Sequence, residues 1–146
     1  MIQKGRVLAV NISEKKGTRK TNVGSCTVLK NSGLKADAHA GPWHRQVSLL
    51  ANESIEKMKA LGLNVGYGDF AENITTDGVD LVHLPVGTTL RIGNGVTLRV
   101  TQIGKICHER CAIYYQAGDC VMPKEGIFAE VVTEGEVKVG DEIVIE

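Results

Sequence analysis

The sequence lacks an excess of charge of either sign. Its 146 residues carry 17 lysines and arginines against 17 aspartates and glutamates, so the formal net charge is zero. Proteins that bind nucleic acid use clustered positive charge against the phosphates, and we therefore expect no nucleic-acid partner. One basic run is an exception, which we interpret as a solvated loop that could guide an anionic ligand: Lys15, Lys16, Arg19 and Lys20.

Long hydrophobic runs are also missing. A membrane-spanning helix needs about 20 apolar residues, and no run here approaches that length. No apolar stretch follows Met1–Arg6, as it would in a signal peptide. We therefore expect a cytoplasmic protein with no membrane partner.

Proline is scarce, with 3 residues, whereas glycine is abundant, with 17. Short apolar runs alternate with glycine turns, which is typical of a mainly β barrel or sandwich. The chain length suits a single domain over residues 1–146. An Asn94-Gly95 turn predicts a hairpin. The predicted strands are Arg6–Ile12, Ser25–Leu29, Gln46–Leu50, Thr88–Ile92, Val96–Val100, Gly126–Val132 and Glu142–Ile145.

Two short helices are predicted beside the strands. In the first, which runs to Leu61, Asn52 is the expected N-cap and Ile55, Met58 and Leu61 form the apolar face. Gly62 is the expected residue after its end. The second covers residues 108–116.

Three of the four cysteines crowd into fourteen residues, namely Cys107, Cys111 and Cys120. In a reducing cytosol such a cluster favours metal binding or thiol chemistry over disulfides. Cys26 stands alone on a predicted strand, where a buried structural role is the better interpretation. No dinucleotide-binding or P-loop motif is present, so nicotinamide or ATP chemistry has no support.

Four segments together resemble the MOSC family, named for the C-terminal domain of molybdenum cofactor sulfurase. The similarity runs from about Gly5 to the C-terminus, and the chain is most similar to the short stand-alone bacterial members. The Phe-Ala-Glu-Asn-Ile-Thr segment and the downstream Gln-x-x-x-x-Cys segment are specific as a pair. The segments are Asp37–Leu50, Gly68–Thr76, Leu84–Gly87 with Ile92–Gly93, and Val100–Cys107 continuing to Cys111 and Cys120.

The resemblance implies a compact, strongly bent β-barrel with a few short helices. It also implies a cleft for the molybdenum cofactor (molybdopterin) and a cysteine that carries sulfur, for sulfuration of the cofactor or for metal-sulfur cluster assembly, or that binds molybdenum. The implied partners are enzymes of cofactor biosynthesis or a cysteine desulfurase. Pyridoxal phosphate binding belongs to the family at large. The additional domains of the amidoxime-reducing and eukaryotic sulfurase relatives are absent, which leaves a catalytic activity of its own open.

The functional cysteine is Cys107 or Cys111. Counting from the strand that holds Gln102 favours Cys107, whereas the local Arg110-Cys111 pattern favours Cys111. We prefer Cys107, as sulfur carrier and as molybdenum ligand, because positive neighbours such as Lys105 favour a thiolate.

The pterin cofactor carries a phosphate, so its cleft needs cationic and hydrogen-bonding groups. Arg45 is a candidate for the phosphate, and His39 lies on the same loop. Lys105, Glu72 and Asn73 complete the candidate cofactor-binding set. For Glu72 and Asn73 a structural role, tying a loop to backbone amides, is an equal alternative.

Three other functions stay open at this stage. One is a structural zinc module built on Cys107, His108, Cys111 and Cys120, although the spacing lacks a Cys-x-x-Cys pair. Another is a pterin-binding module without sulfur transfer. The third is a molybdenum-dependent reductase of N-hydroxylated compounds, which needs electron donors from partner proteins.

The cysteines provide a first test. Under native conditions Cys107 should be alkylated with the lowest apparent pKa, Cys111 should follow, and Cys26 should stay inert, because thiolate character and exposure control reactivity. The measurement is pH-dependent alkylation of single-cysteine variants. Faster labelling of Cys111 would move the role to that residue, and slow labelling of all four would indicate buried thiols or a closed metal site.

Overall fold

The computed structural model describes residues 2–16, 18–104 and 125–145, and these ranges contain eleven strands and one helix. The strands are β1 (Gln3–Ile12), β2 (Thr21–Asn22), β3 (Ser25–Leu29), β4 (Gly33–Leu34), β5 (Val47–Ala51), β6 (Ile74–Asp77), β7 (Thr89–Ile92), β8 (Val96–Ile103), β9 (Ile127–Thr133), β10 (Gly135–Lys138) and β11 (Glu142–Ile145). The helix α1 spans Asn52–Ala60. It is far shorter than a bilayer-spanning helix, and no described helix meets that requirement.

Seven strands close into a mixed barrel, so the chain is mainly β as predicted. They are hydrogen-bonded in the order β11-β7-β8-β9-β5-β6-β1, and β1 pairs with β11 to close the ring. The pair β5–β6 is parallel, and the remaining neighbours in the ring are antiparallel. A smaller sheet of β10, β3 and β4 and the short strand β2 complete the described strands.

Register shifts bend the long strands. β1 shifts between Val7 and Ala9 against β6, and β8 shifts between Val100 and Gln102 against β9. Such bulges increase local twist and redirect the chain. Beyond the bends, Asn11 pairs with β2, and Gln102 pairs with Phe128 near the end of β8.

Two hydrophobic clusters hold these elements. Every strand of the barrel contributes buried side chains to its interior, and the fully buried ones include Leu49, Ile74, Leu90, Leu98, Ile127 and Ile143. A second cluster packs α1 against the outer face of the barrel: Leu50, Ile55, Met58, Leu63, Val65, Phe70 and Phe128. Because alternate residues of a strand face opposite sides, β5 sends Leu49 inward and Leu50 outward and is covered on both faces.

The predicted strands are confirmed within a few residues at their ends, including the β7–β8 hairpin. The first helix is confirmed, but its details differ. Ala51 is the N-cap, without a side-chain hydrogen bond, and Asn52 is already helical. Leu61 is 62% exposed rather than part of the apolar face, because it lies past the end of the helix. The predicted helix over residues 108–116 falls outside the described residues.

Barrel packing predicts the stability of two leucine variants. Leu98→Ala should lower the free energy of unfolding by about 2–5 kcal/mol, because Leu98 is fully buried and the change leaves a cavity. Leu61→Ala is the matched control and should change it by less than about 0.5 kcal/mol, since that side chain is mostly solvated. Urea denaturation measures both. Equal losses would contradict the assignment of Leu98 to the core.

Candidate functional site

The loop over residues 35–46, between β4 and β5, carries His39 and Arg45. It is tied down at several points: the Ala38 amide donates to the Ser13 carbonyl at 2.8 Å, and the Gly41 amide donates to the Ser32 carbonyl at 2.8 Å. Gly33 lets the loop approach the barrel, since a Cβ there would lie 2.4 Å from the Gln46 carbonyl oxygen. The loop is therefore a defined platform for its side chains.

Lys20 and Asp37 form a buried ion pair beside this loop. The Lys20 Nζ lies 2.7 Å from Asp37 Oδ1, and both side chains are fully shielded from solvent. The same ammonium donates to Ser13 Oγ at 3.0 Å. Lys20 therefore does not belong to a solvated basic run, as the sequence suggested, but is part of the interior.

His39 is the third member of this group. Its Nδ1 lies 3.0 Å from Lys20 Nζ, and its backbone amide donates to Asp37 Oδ2 at 3.2 Å. An ammonium group only donates hydrogen bonds, so Nδ1 is the acceptor in this contact. The Trp43 indole N–H donates to the His39 carbonyl at 2.7 Å and holds the backbone of the loop.

Asp37 keeps its charge in spite of its burial. Burial raises the pKa of its carboxyl, but the hydrogen bonds from Lys20, Asn73 and the Ser13 amide, together with the charge of Lys20, outweigh it and leave the pKa below its usual value. The ionised form is therefore the stable partner for the ammonium.

Asn73 and Glu72 lie under this group and are fully buried. Asn73 Oδ1 accepts the Ser48 amide at 3.0 Å, and its Nδ2 donates to the Asn11 carbonyl at 3.1 Å. Glu72 Oε2 accepts the Gly68 amide at 3.0 Å and the Thr75 hydroxyl at 2.6 Å. These bonds support the structural alternative for both residues, and their binding of a cofactor stays a prediction.

Arg45 lies at the other end of the loop and makes a different kind of site. Its guanidinium carbon is 5.2 Å from the centre of the Phe128 ring, and its Nε donates to Gln102 Oε1 at 3.3 Å. The side chain is half-buried and pairs with no carboxylate among the described residues. Gln102 in turn donates to the Gly104 carbonyl at 2.7 Å. We call Arg45, Gln102 and Phe128 the Arg45 site.

The candidate cysteines Cys107 and Cys111 fall outside the described residues, as do Cys120 and Lys105, so their assigned roles stay predictions. The proposed zinc ligands fall in the same stretch. Within the described ranges, no three His, Cys, Asp or Glu side chains are grouped closely enough to hold a metal ion. Cys26 is described: it is half-buried on β3 rather than fully buried, and burial raises the pKa of its thiol, while its lack of reactivity stays a prediction.

Comparison with known proteins now identifies the family. The model of the MOSC domain matches residues 36–144. The chain belongs to the MOSC domain family. The matched residues include most of the barrel, Asp37, His39 and the Arg45 site. Lys20 lies before the first matched residue.

Solved structures share the fold of this MOSC domain at low sequence identity. YuaD from Bacillus subtilis superposes with a TM-score of 0.84 at 16% identity, covering 99% of this chain and 97% of that one. YiiM from Geobacillus stearothermophilus superposes with a TM-score of 0.70 at 18% identity, covering 100% of this chain and 75% of that one. YiiM from Escherichia coli gives 0.68 at 20% identity, with coverages of 98% and 69%. No curated protein matches the chain.

The structure brings His39, Asn73, Lys20 and Asp37 of this MOSC domain into one hydrogen-bonded group, which we call the Lys20 cluster. Lys20 and Asp37 were not predicted as members from the sequence. Asp37 opens the segment that carried the resemblance, which was a usable signal. Nothing in the charge pattern separates Lys20 from its solvated neighbours.

The ion pair of this MOSC domain predicts a pH-dependent stability. Asp37→Asn should lower the free energy of unfolding at pH 7 by about 3–5 kcal/mol, because it leaves the Lys20 ammonium buried and unpaired. Because the pKa of Asp37 is lowered on folding, its contribution is complete above the ordinary value of about 3.9 and disappears as pH falls through the lower folded value. Urea denaturation between pH 7 and pH 2 measures the difference.

The control for this test is Asp80→Asn, whose carboxylate pairs with His83 at the surface. This variant should lower the free energy of unfolding by less than about 0.5 kcal/mol. If Asp37→Asn cost no more than this control, the ion pair would not hold the cluster together.

Proposed function

We propose that this MOSC domain binds the molybdenum cofactor through the Arg45 site and the Lys20 cluster, and that Cys107 or Cys111 carries sulfur for it. The observation that supports this most directly is the Arg45 guanidinium, whose central carbon lies 5.2 Å from the centre of the Phe128 ring and which has no carboxylate partner among the described residues. Family membership adds the association with this cofactor.

Arg45 suits the phosphate end of such a ligand. A guanidinium offers five N–H donors in a planar fork, and here Gln102 occupies the Nε–H. The terminal amino groups are the ones that pair with two phosphate oxygens at once. Contact with the Phe128 ring restricts the guanidinium, so less conformational entropy is lost when an anion binds.

The Lys20 cluster contributes little net charge, because Lys20 and Asp37 neutralise each other. Its part in the proposal is hydrogen bonding through His39, whose Nδ1 and backbone are fixed by Lys20, Asp37 and Trp43. Arg45 therefore supplies the charge for the phosphate, and the cluster supplies an oriented imidazole at the other end of the same loop.

Sulfur transfer requires a cysteine thiolate. In the proposed step, the thiolate of Cys107 or Cys111 attacks the outer sulfur of a persulfide on a donor such as a cysteine desulfurase. The new S–S bond forms on this chain as the donor S–S bond breaks, and the donor cysteine leaves as a thiolate. A thiolate of a metal-sulfur assembly partner then attacks the outer sulfur, and the S–S bond on this chain breaks as its cysteine leaves as a thiolate. Delivery of the sulfur to the cofactor as sulfide takes two electrons from an external dithiol, which is oxidised to a disulfide. The zinc module and the molybdenum-dependent reductase are the alternatives that an experiment has to separate.

Binding of the cofactor is tested with molybdopterin released from a molybdenum enzyme, followed by calorimetric titration. Arg45→Ala should weaken binding by about 10- to 100-fold, which corresponds to the loss of charge-assisted hydrogen bonds worth about 1.5–3 kcal/mol. The affinity of Arg45→Lys should lie between those of Arg45→Ala and the unmodified protein. Arg91→Ala, an exposed arginine on β7, is the control and should bind like the unmodified protein. Equal affinities for all variants would sink the proposal for Arg45.

Mass spectrometry and metal analysis of the native protein address the sulfur. After incubation with a cysteine desulfurase and cysteine, one added sulfur atom should appear and should disappear in Cys107→Ser or Cys111→Ser. Stoichiometric zinc without persulfide would favour the zinc module. Stoichiometric molybdenum with turnover of an N-hydroxylated compound, given an electron donor, would favour the reductase.

A further inference from the structure

We propose that Glu72 is a positioning residue: it holds its carboxyl as a neutral acid and, through Gly68, fixes the backbone that directs the Lys20 ammonium toward Asp37 and His39. This assigns Glu72 a role beneath the site rather than in contact with a ligand. The inference does not depend on which ligand this MOSC domain binds.

Two buried oxygens in the hydrogen-bonded group around Glu72 lack a donor among the described residues. Its Oε2 takes both the Gly68 amide and the Thr75 hydroxyl, and the Thr75 oxygen accepts from Asn11 Nδ2 at 3.1 Å. The second Asn11 Nδ2 bond, to the Glu72 carbonyl at 3.1 Å, fixes the orientation of that amide. Within the part of the chain that the structure describes, Glu72 Oε1 and Asn11 Oδ1 are both buried without a partner. A carboxyl proton supplies the donor that this group lacks.

Among the described residues, no positive charge pairs with an ionised Glu72. β1 and β6 contribute the neutral Asn11 and Thr75. The nearby charged groups are otherwise engaged: Lys20 with Asp37 at 2.7 Å, and Asp69 with Arg19 at 3.7 Å.

The carboxyl itself is fully buried, and burial raises the pKa of Glu72 more than the hydrogen bonds from the Thr75 hydroxyl and from the backbone amides of Gly68, Glu72 and Phe70 lower it. An uncompensated charge in such surroundings is costly, and the neutral form avoids that cost. The pKa direction therefore agrees with the two buried oxygens that lack a donor.

Gly68 connects the Glu72 carboxyl to the backbone of Lys20. The Lys20 amide donates to the Gly68 carbonyl at 2.8 Å, and a Cβ on Gly68 would lie only 2.1 Å from the Lys20 carbonyl oxygen. Gly68 adopts φ +84, a conformation that glycine tolerates and other residues rarely adopt. The backbone of Lys20 thus rests directly on the residue that Glu72 holds, so opening of this loop would release the Lys20 backbone.

The protonation state is measured by carbon NMR of the full chain labelled at the glutamate carboxyls. The Glu72 signal, assigned by its loss in Glu72→Gln, should show the shift of a neutral acid at pH values well above the ordinary glutamate pKa of about 4.3. The surface variant Glu136→Gln identifies the signal of an exposed carboxyl, which is the reference. A Glu72 signal that titrates together with Glu136 would overturn the inference.

Coupling to Lys20 is measured by native-state hydrogen exchange of the Gly68 and Lys20 amides. The comparison variant is Glu72→Gln, a neutral isostere that keeps one acceptor and one donor. At each pH, the exchange rate of an amide in the unmodified protein is divided by its rate in this variant. That ratio should rise by up to about tenfold per pH unit between the ordinary and the folded pKa of Glu72 and be flat above, because opening lets the carboxyl ionise.

Amides of β8, such as that of Leu98, are the internal control for exchange. Their ratio should stay constant over the same pH range if the opening is local. A parallel rise at β8 would mean that Glu72 acts on global stability alone, and a flat ratio at Gly68 and Lys20 would mean no coupling. Either result rejects the positioning role, whereas loss of molybdopterin binding in Arg45→Ala would be unaffected and would still report on the proposed function.

Discussion

Lys20 and Asp37 place opposite charges 2.7 Å apart with both side chains removed from solvent. Transferring either charge alone into the interior costs several kcal/mol, so each residue requires the other. The pair joins two segments that are distant in sequence, the loop after β1 and the loop before β5. His39 receives its contacts from both members of the pair. The ion pair therefore helps to orient His39, together with the Trp43 indole that donates to its carbonyl.

The two buried carboxyls of this region show why burial alone does not decide a charge. Asp37 faces an ammonium group and an amide donor, and its pKa is lowered although burial acts to raise it. Glu72 is at least as buried but meets only neutral donors among the described residues, and its pKa is raised. Solvent exclusion is common to both, and the difference is the compensating charge. The ionised group can anchor a cation, and the neutral one can hold a backbone amide.

Much of the barrel could be predicted from the sequence, because its information is local. Alternating apolar residues and the Asn94-Gly95 turn specify strands such as β8 and the hairpin that it forms with β7. Strand β6 (Ile74–Asp77) and β10 (Gly135–Lys138) were not predicted as strands. Both are four residues long and rich in polar side chains, so their conformation depends on the neighbours with which they pair.

The candidate site was harder to predict, because its decisive contacts join remote segments. Arg45 and His39 were identified from one short segment, but the partners of Arg45 lie on β8 and β9, and the burial of Lys20 follows from Asp37 seventeen residues away. Composition gives the types of residue present and not which charged side chain is desolvated. Burial of a lysine is a property of the assembled fold.

The parallel pair in the barrel explains why these segments meet. In a parallel pair the amino ends of both strands lie at the same edge, so the loops that enter β5 and β6 converge. Ser48 then links the two: its amide donates to Asn73 Oδ1, and it pairs across the sheet with Phe128, which supports Arg45. An antiparallel β5–β6 pair would place these loops at opposite ends of the barrel. The Lys20 cluster and the Arg45 site therefore depend on this parallel step for their common edge, and the helix α1, which follows β5, begins the connection that makes it possible.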